Sequence, residues 1–456
     1  MGVPLSEILK LWYHIRTAVF SGKNSTCWLG LSAPWRLPMY QKTVLPNGVR
    51  IITERLPHVR SVTLGAWFEV GSRQEMPDEW GMSHFIEHMM FKGTKSYSAR
   101  DIAEIMDQRG GQLNAFTDKE QTCYYFKVLD EHFATAAALL QDMLLNSLFL
   151  PEDVEKEKNV ILEELRMYED SPEDLVHDLF SDVLWPGHPL GKSILGSEDT
   201  IQEFTPERLK AYVARHYTAD KLIIACAGNI HHHEVVEALG PAFSTLPRGG
   251  RLPGDEPSSA AGRSRFENKE IEQIHLCLGA PSIARGDKRR YPLQVLDAIV
   301  GGGVSSLLFQ RLREDLGLVY STYSFTGLYS DIGLSGIYAG FCPENWSRVW
   351  DVLLGLFKDV PSLITAEMVE RSKQQLRSGM ILALESTSTR MTRLAKGEIY
   401  EGGPIAPEAV LNLIDSVNYG QVVELAKEIY DPQRWSWAAV GPSHLVKEDV
   451  PCKKIC

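Results

Sequence analysis

The sequence predicts an α+β protein of two homologous domains that arose by internal duplication. Three observations lead there. Strand-like and helix-like hydrophobic patterns alternate through both halves of the chain. Between them, Pro247 to Arg265 reads PRGGRLPGDEPSSAAGRSR, where Pro, Gly, Ser and charge dominate and apolar residues nearly vanish, the composition of a linker. After it the earlier pattern returns. IEQIHLCLGAPSIARGDKRRYPLQVLDAIVGGG echoes VRSVTLGAWFEVGSRQEMPDEWGMSHFIEHMMF, and the closing RWSWAAVGPSHLVKED echoes KLIIACAGNIHHHEVV, with an offset of about 210 residues at both ends. The expected division is an N-terminal extension over 1–38, a first domain over 39–246, a linker over 247–265, a second domain over 266–447 and a tail over 448–456.

The elements follow in order. TVLPNGVRIITERL reads as strand, Asn-Gly turn, strand. SVTLGAWFEVGS is a further strand, and the apolar spacing of EWGMSHFIEHMMF fits a buried helix. SARDIAEIMDQRG opens on a Ser cap, keeps helical period and stops at Gly110. GQLNAFTDKEQTCYYFKV is a hairpin, and long helical patterns run from Leu129 to about Asp170.

Composition bounds the function. The 456 residues suit two domains, and 44% apolar with 23% charged residues describes an ordinary globular chain. No apolar run reaches the length of a membrane span. A net charge of -12 argues against general nucleic-acid binding and favours neutral or basic partners. Seven cysteines are scattered with no CxxC; Cys123, Cys226 and Cys277 lie in apolar runs and read as buried thiols, which implies a reducing compartment and no cysteine metal site. The first 38 residues are expected to lie outside the folded protein, since Met39 opens structured sequence at once; their few acids also suit a mitochondrial presequence, and the match of MGVPLS to the N-myristoylation pattern is too short to carry weight. GHPLGKS is one residue short of a phosphate-binding loop and reads as a loop, and the His231–His233 run reads as the start of a helix.

One stretch carries chemistry. In GMSHFIEHMMFKGT, His84 and His88 lie four residues apart, on one face of a helix, with Glu87 beside that face. Both imidazoles can reach one metal ion. Zinc needs three protein ligands and keeps an open position for a water whose pKa it lowers; a glutamate beside that water serves as general base. The third ligand is sought in PEDVEKEKNVILEELRMYED, where Glu157 and Glu164, two turns apart, share a face with Ile161 and Tyr168. Glu164 is assigned as ligand and Glu157 as the carboxylate that orients a ligating histidine. Glu155 and Glu163 read as solvated. The equivalent of HFIEH in the second copy is LQVLD, Leu293 to Asp297, so the fold was repeated and the constellation was not.

These blocks, with GGQLNAFTDKEQTCYYFKVL, EKEKNVILEELRMYEDSPEDLVHD and HPLGKSILG, resemble the pitrilysin and mitochondrial processing peptidase family of zinc peptidases, over residues 40 to about 445. The resemblance implies two α/β sandwich domains, each a mixed, mostly antiparallel sheet covered by helices, and one Zn2+ per chain. It places the third ligand 76 residues after the second histidine, at Glu164. It also implies that Asn114 and Ala115, in NAFT, lie on an edge strand to which substrate adds by main-chain pairing. Arg313 and Tyr320, in RLREDLGLVYS, would hold a substrate carbonyl and the tetrahedral oxyanion. GGGVSSLLFQ resembles the glycine-rich segment of the processing peptidases. The implied activity is endoproteolysis of extended peptides enclosed between domains, with basic peptides among the candidate substrates. A homodimer would supply both site halves, with a heterodimer as the other arrangement. The expected location is cytoplasmic, as for bacterial members, or else the mitochondrial matrix. A non-catalytic structural or assembly subunit of the same fold is the alternative.

Overall fold

The computed structural model describes residues 40–250, 257 and 261–445. The N-terminal extension, most of the linker and the cysteine-bearing tail therefore lie outside the described residues.

In the first half, β1 (Gln41–Val44) and β2 (Arg50–Arg55) form the expected hairpin, with Gly48 of the Asn-Gly pair at φ +105°, a conformation that disfavours a Cβ. There follow β3 (Ser61–Phe68), α1 (Met82–Met89), α2 (Ala99–Gln108), the hairpin β4 (Gln112–Thr117) and β5 (Thr122–Leu129), α3 (Phe133–Asn146), α4 (Pro151–Asp170), α5 (Pro172–Leu184), α6 (Glu198–Gln202), α7 (Pro206–His216), β6 (Leu222–Gly228) and α8 (His232–Phe243). The Ser98 hydroxyl accepts from Asp101 N and caps α2 as its sequence requires. The second half contains β7 (Ser264–Asn268), β8 (Ile274–Ser282), α9 (Arg290–Val300), a π-helical turn at Phe309–Asp315, β9 (Ser321–Leu328), β10 (Gly333–Phe341), α10 (Trp346–Leu363), α11 (Ala366–Ala383), α12 (Thr387–Glu401), α13 (Pro407–Asp415), α14 (Tyr419–Ile429) and β11 (Ser436–Gly441).

The strands sort into two sheets, ordered β1-β2-β6-β3-β5-β4 and β7-β11-β8-β10-β9. Each holds one parallel pair, β2 with β6 and β7 with β11, and is otherwise antiparallel. Strand for strand the second sheet repeats the first without β1, the structural form of the duplication read from sequence. The expected linker is trimmed at both ends: Pro247 O accepts from Ala219 N and Gly249 N donates to Asp220, while Ser264 and Arg265 already belong to β7.

Both sheets are covered on both faces, which is why β3 and β6 read as continuous apolar runs. With a side-chain period of two, Val62, Leu64, Ala66 and Phe68 of β3 face the core beneath α1 and α3, while Trp67 faces the other way, into a cluster with Ile52, Ile223 and Ala225. That second cluster is closed by Met391, Leu394 and Ala395 of α12, a helix from the other half of the chain. The exchange is reciprocal. Val176, Phe180 and Val183 of α5 cover Cys277, Tyr338, Ala438 and Val440 on the second sheet. Polar contacts reinforce the first exchange: buried Glu54 of β2 pairs with Arg390 and Arg393 of α12, and Thr63 Oγ1 donates to Thr387 Oγ1 at 2.9 Å. Cys123, Cys226 and Cys277 are fully buried free thiols, and burial pushes each thiol pKa up. No described helix is long and apolar enough to cross a membrane.

Candidate metal centre

The site is built on α1, a helix of only two turns whose N-terminus is held from outside. Gly81 enters it at φ +94°, and a Cβ there would come within 2.5 Å of Leu195 O. Glu75, fully buried, accepts from Gly81 N at 2.8 Å and Ser83 N at 2.7 Å, satisfying two donors that a helix start leaves open. Burial pushes the Glu75 carboxyl up to about 8 against those hydrogen bonds. Phe85, Ile86 and Met89 anchor α1 in the first core. The remaining face turns His84 and His88 toward Glu164 of α4 and Glu87 toward Thr117 of β4.

On α4, Glu157 and Ile161 are buried and Glu164 is half-buried, on the shared face read from sequence. Glu164 Oε2 lies 3.8 Å from His84 Nε2 and 3.7 Å from His88 Nε2, and the two imidazole centroids are 4.6 Å apart. One ligand atom from each residue falls within 4.8 Å of the others. Ligand atoms of a tetrahedral zinc site stand about 3.4 Å from one another, given bonds of about 2.1 Å. The three residues therefore fit a zinc ion, and among the described residues they are the one group that offers such a set. His84 Nδ1 is buried without a hydrogen-bond partner among the described residues.

The surroundings set the charge states. Burial, with the neighbouring His88 second, drives the His84 pKa down to about 3, so its imidazole is neutral, the form that ligates metal. Glu157 Oε1 is 2.8 Å from His88 Nδ1, and Glu157 Oε2 is 2.5 Å from Lys92 Nζ. Burial opposes charge on both Glu157 and His88, but these contacts outweigh it, holding the Glu157 carboxyl low and the His88 imidazole high. Glu157 thereby fixes the orientation of His88 and leaves Nε2 facing Glu164. Glu87 does not point into the three-residue cluster. Its Oε2 accepts from Thr117 Oγ1 at 2.6 Å, and burial raises its pKa despite that bond.

Thr117 ends β4, the edge strand that carries Asn114 and Ala115. Asn114 is exposed, Ala115 is half-buried, and the outer edge of β4 pairs with no described strand. Arg313 and Tyr320 come together elsewhere. Arg313 Nη1 donates to Tyr320 O at 2.6 Å and its guanidinium lies over the Tyr320 ring, which is 72% exposed. No described contact joins either residue to the metal-ligand cluster. Glu155 and Glu163 are solvated and pair with Lys158 and Arg166 on their own helix. Sequence reasoning missed Lys92, Thr117 and Glu75. Lys92 follows His88 by one helical turn, and that spacing was the available signal; Thr117 and Glu75 act from other elements and left none.

Fold and cluster together define a duplicated α+β protein in which, among the described residues, one group of side chains, in the first half, could hold a metal ion. Residues 50–198 match the insulinase family, peptidase family M16, and residues 203–376 match the peptidase M16 inactive domain. The chain belongs to the insulinase family. It is 41% identical to the uncharacterized zinc protease YmxG of Bacillus subtilis, covering 89% of this chain and 99% of that one. It is 40% identical to an uncharacterized zinc protease of Streptomyces coelicolor, covering 88% and 89%. A protease from Helicobacter pylori superposes with a TM-score of 0.81 at 21% identity, over 88% of this chain and 99% of that one. A peptidase M16 inactive domain from Pseudomonas fluorescens does so with 0.83 at 19%, over 88% and 98%. The inactive-domain match begins before β6, yet β6 is a central strand of the first sheet, so that boundary falls inside the first structural layer.

The ligand assignment has a direct test. His84→Ala or Glu164→Gln protein is expected to fold and to hold well under one zinc per chain by metal analysis, since two remaining ligands bind weakly. Stoichiometric zinc in His84→Ala protein would remove His84 from the set.

Proposed function

We propose that the protein is a zinc-dependent endopeptidase of the H-x-x-E-H type that cuts extended peptides or unfolded segments. The observation that carries this is the approach of His84 Nε2 and His88 Nε2 to Glu164 Oε2, with Glu87 held by Thr117 beside them. The relatives named as zinc proteases support the metal and the reaction class. Zinc bound there supplies Lewis acidity to the scissile carbonyl and its attacking water. The chain's own residues do the rest. Glu87 takes the proton from that water and gives it to the departing amine nitrogen. Glu157 keeps His88 in one orientation. The open edge of β4, with Asn114 and Ala115, pairs with an extended substrate through main-chain hydrogen bonds, which tolerate many sequences. The alternative, a non-catalytic subunit, predicts no turnover at all and is separated by a cleavage assay on zinc-loaded protein.

Arg313 and Tyr320 are exposed and uncoupled from the cluster of their own chain, which supports a role across a two-fold interface with a second copy. There Tyr320 would hydrogen-bond the developing oxyanion and Arg313 a substrate carbonyl. The expected substrates are unfolded peptides, with basic ones preferred because the chain carries a net charge of -12. A stable folded protein is expected to survive. Mixing Glu87→Gln with Tyr320→Phe protein tests the composite site. Each parent is defective, but one site of the mixed dimer carries neither change, so activity is expected to return in part. A mixture that has exchanged subunits and stays as inactive as its parents would exclude sites shared between chains.

A further inference from the structure

The turn between β4 and β5, Asp118–Gln121, belongs to the first sheet but is fastened by the second half. Glu120 is 8% exposed. Its carboxylate accepts from Ser330 N at 3.1 Å, Ser330 Oγ at 2.6 Å, Tyr400 Oη at 3.0 Å and Arg73 Nη1 at 2.8 Å. Arg73 also donates to Asp331 at 2.7 Å. Ser330 and Asp331 lie between β9 and β10, and Tyr400 lies on α12. Charge-assisted bonds from several directions fix a carboxylate tightly. A buried charged cluster is weak evidence for stability as such, so its effect is sought in what it holds in place.

What it holds lies one turn away. Asp118 Oδ1 accepts from Glu120 N and Gln121 N, each at 2.8 Å, which stiffens the turn. Asp118 O and Lys119 O accept from Ser72 N at 3.2 Å and Arg73 N at 2.8 Å. At the start of this braced turn stands Thr117, whose hydroxyl donates to Glu87. Only two residues, Asp118 and Lys119, thus separate the group held by the second half from the group that holds the Glu87 carboxylate.

We propose that Glu120 is a positioning residue: by fastening the Asp118–Gln121 turn to Ser330 and Tyr400 it holds Thr117, and through Thr117 the Glu87 carboxylate, so the half without the metal motif sets the geometry of the base in the other half. This rests on the reading of Glu87 as general base. A hydrogen bond to Oε2 fixes the carboxylate plane and leaves Oε1, which has no partner among the described residues, for the attacking water. Loss of that restraint lets the base drift, and a displacement near 1 Å costs about a hundredfold in rate.

The test compares Thr117→Val, Thr117→Ser, Glu120→Gln and their combination in the full chain. Thr117→Val is expected to lower kcat by about ten- to a hundredfold with KM, zinc content and melting temperature unchanged, and Thr117→Ser to restore it. Glu120→Gln is expected to lower kcat similarly and to speed amide hydrogen exchange across residues 112–121, which Thr117→Val leaves unchanged. The double variant Thr117→Val/Glu120→Gln is expected to be no slower than the slower single one, because both act through one contact. Tyr400→Phe, which removes one donor to Glu120 and keeps the ring, carries the same comparison where Glu120→Gln protein fails to fold. Wild-type kcat in zinc-loaded Glu120→Gln protein, or fully additive losses in the double variant, would overturn the inference and leave the peptidase reading intact. Zinc-loaded wild-type protein that cuts no peptide would overturn the reading, and the inference with it.

Discussion

Glu87→Gln protein is expected to fold normally, carry the full zinc content of the wild type and lose turnover by about 10^2- to 10^4-fold. The substitution is nearly isosteric. Its amide oxygen can still accept from Thr117, and His84, His88 and Glu164 are untouched, so the metal set stands as before. What changes is proton transfer, since a neutral amide cannot take a proton from water near neutral pH. KM is expected to move little, because Glu87 does not lie on the β4 edge where substrate would pair. Metal analysis and single-turnover cleavage of an unfolded peptide check both halves of the expectation. Turnover within tenfold of wild type would remove Glu87 from the role of base. Zinc lost along with activity would make it a ligand instead, contrary to its orientation toward Thr117.

Phe180→Ala is expected to lower the free energy of unfolding by about 3–5 kcal/mol while leaving zinc binding nearly intact. Phe180 belongs to the first half by sequence, on α5, yet it is fully buried against the second sheet. Its ring meets Phe325 edge-on at 5.9 Å, and Gly279 approaches so closely that a Cβ there would lie 3.0 Å from the Phe180 ring. Truncation leaves a cavity between α5 and the second sheet, which relaxes only partly to fill it. Because α5 and α12 each cover the other half's sheet, the loss is expected to appear in one cooperative urea transition. Two resolved transitions, or a change under about 1 kcal/mol, would mean that the exchanged helices are peripheral to stability.

Much of this protein is determined by short-range sequence, because periodicity and local chemistry are short-range properties. Alternation and the Asn-Gly pair specify the β1–β2 hairpin, a Ser and its third following residue specify the start of α2, and the 210-residue echo specifies two sheets of one topology. The pair His84 and His88 with Glu87 is legible for the same reason: four residues on a helix bring two imidazoles to one face. Glu164 is legible only in part, as one of two carboxylates on a shared face, and the packing of α4 on α1 is what brings it near Nε2 of both histidines. Other features belong to tertiary structure alone. The apolar stripe of α5 at 176, 179, 180, 183 and 184 requires a cover but does not say which sheet provides it, and the answer is the sheet of the other half. Thr117 meets Glu87 across 30 residues of chain, and Glu120 meets Ser330 across 210. A hydrogen bond between such distant residues leaves no period in the sequence; it exists because two sheets and two exchanged helices fix where the turn between β4 and β5 comes to rest.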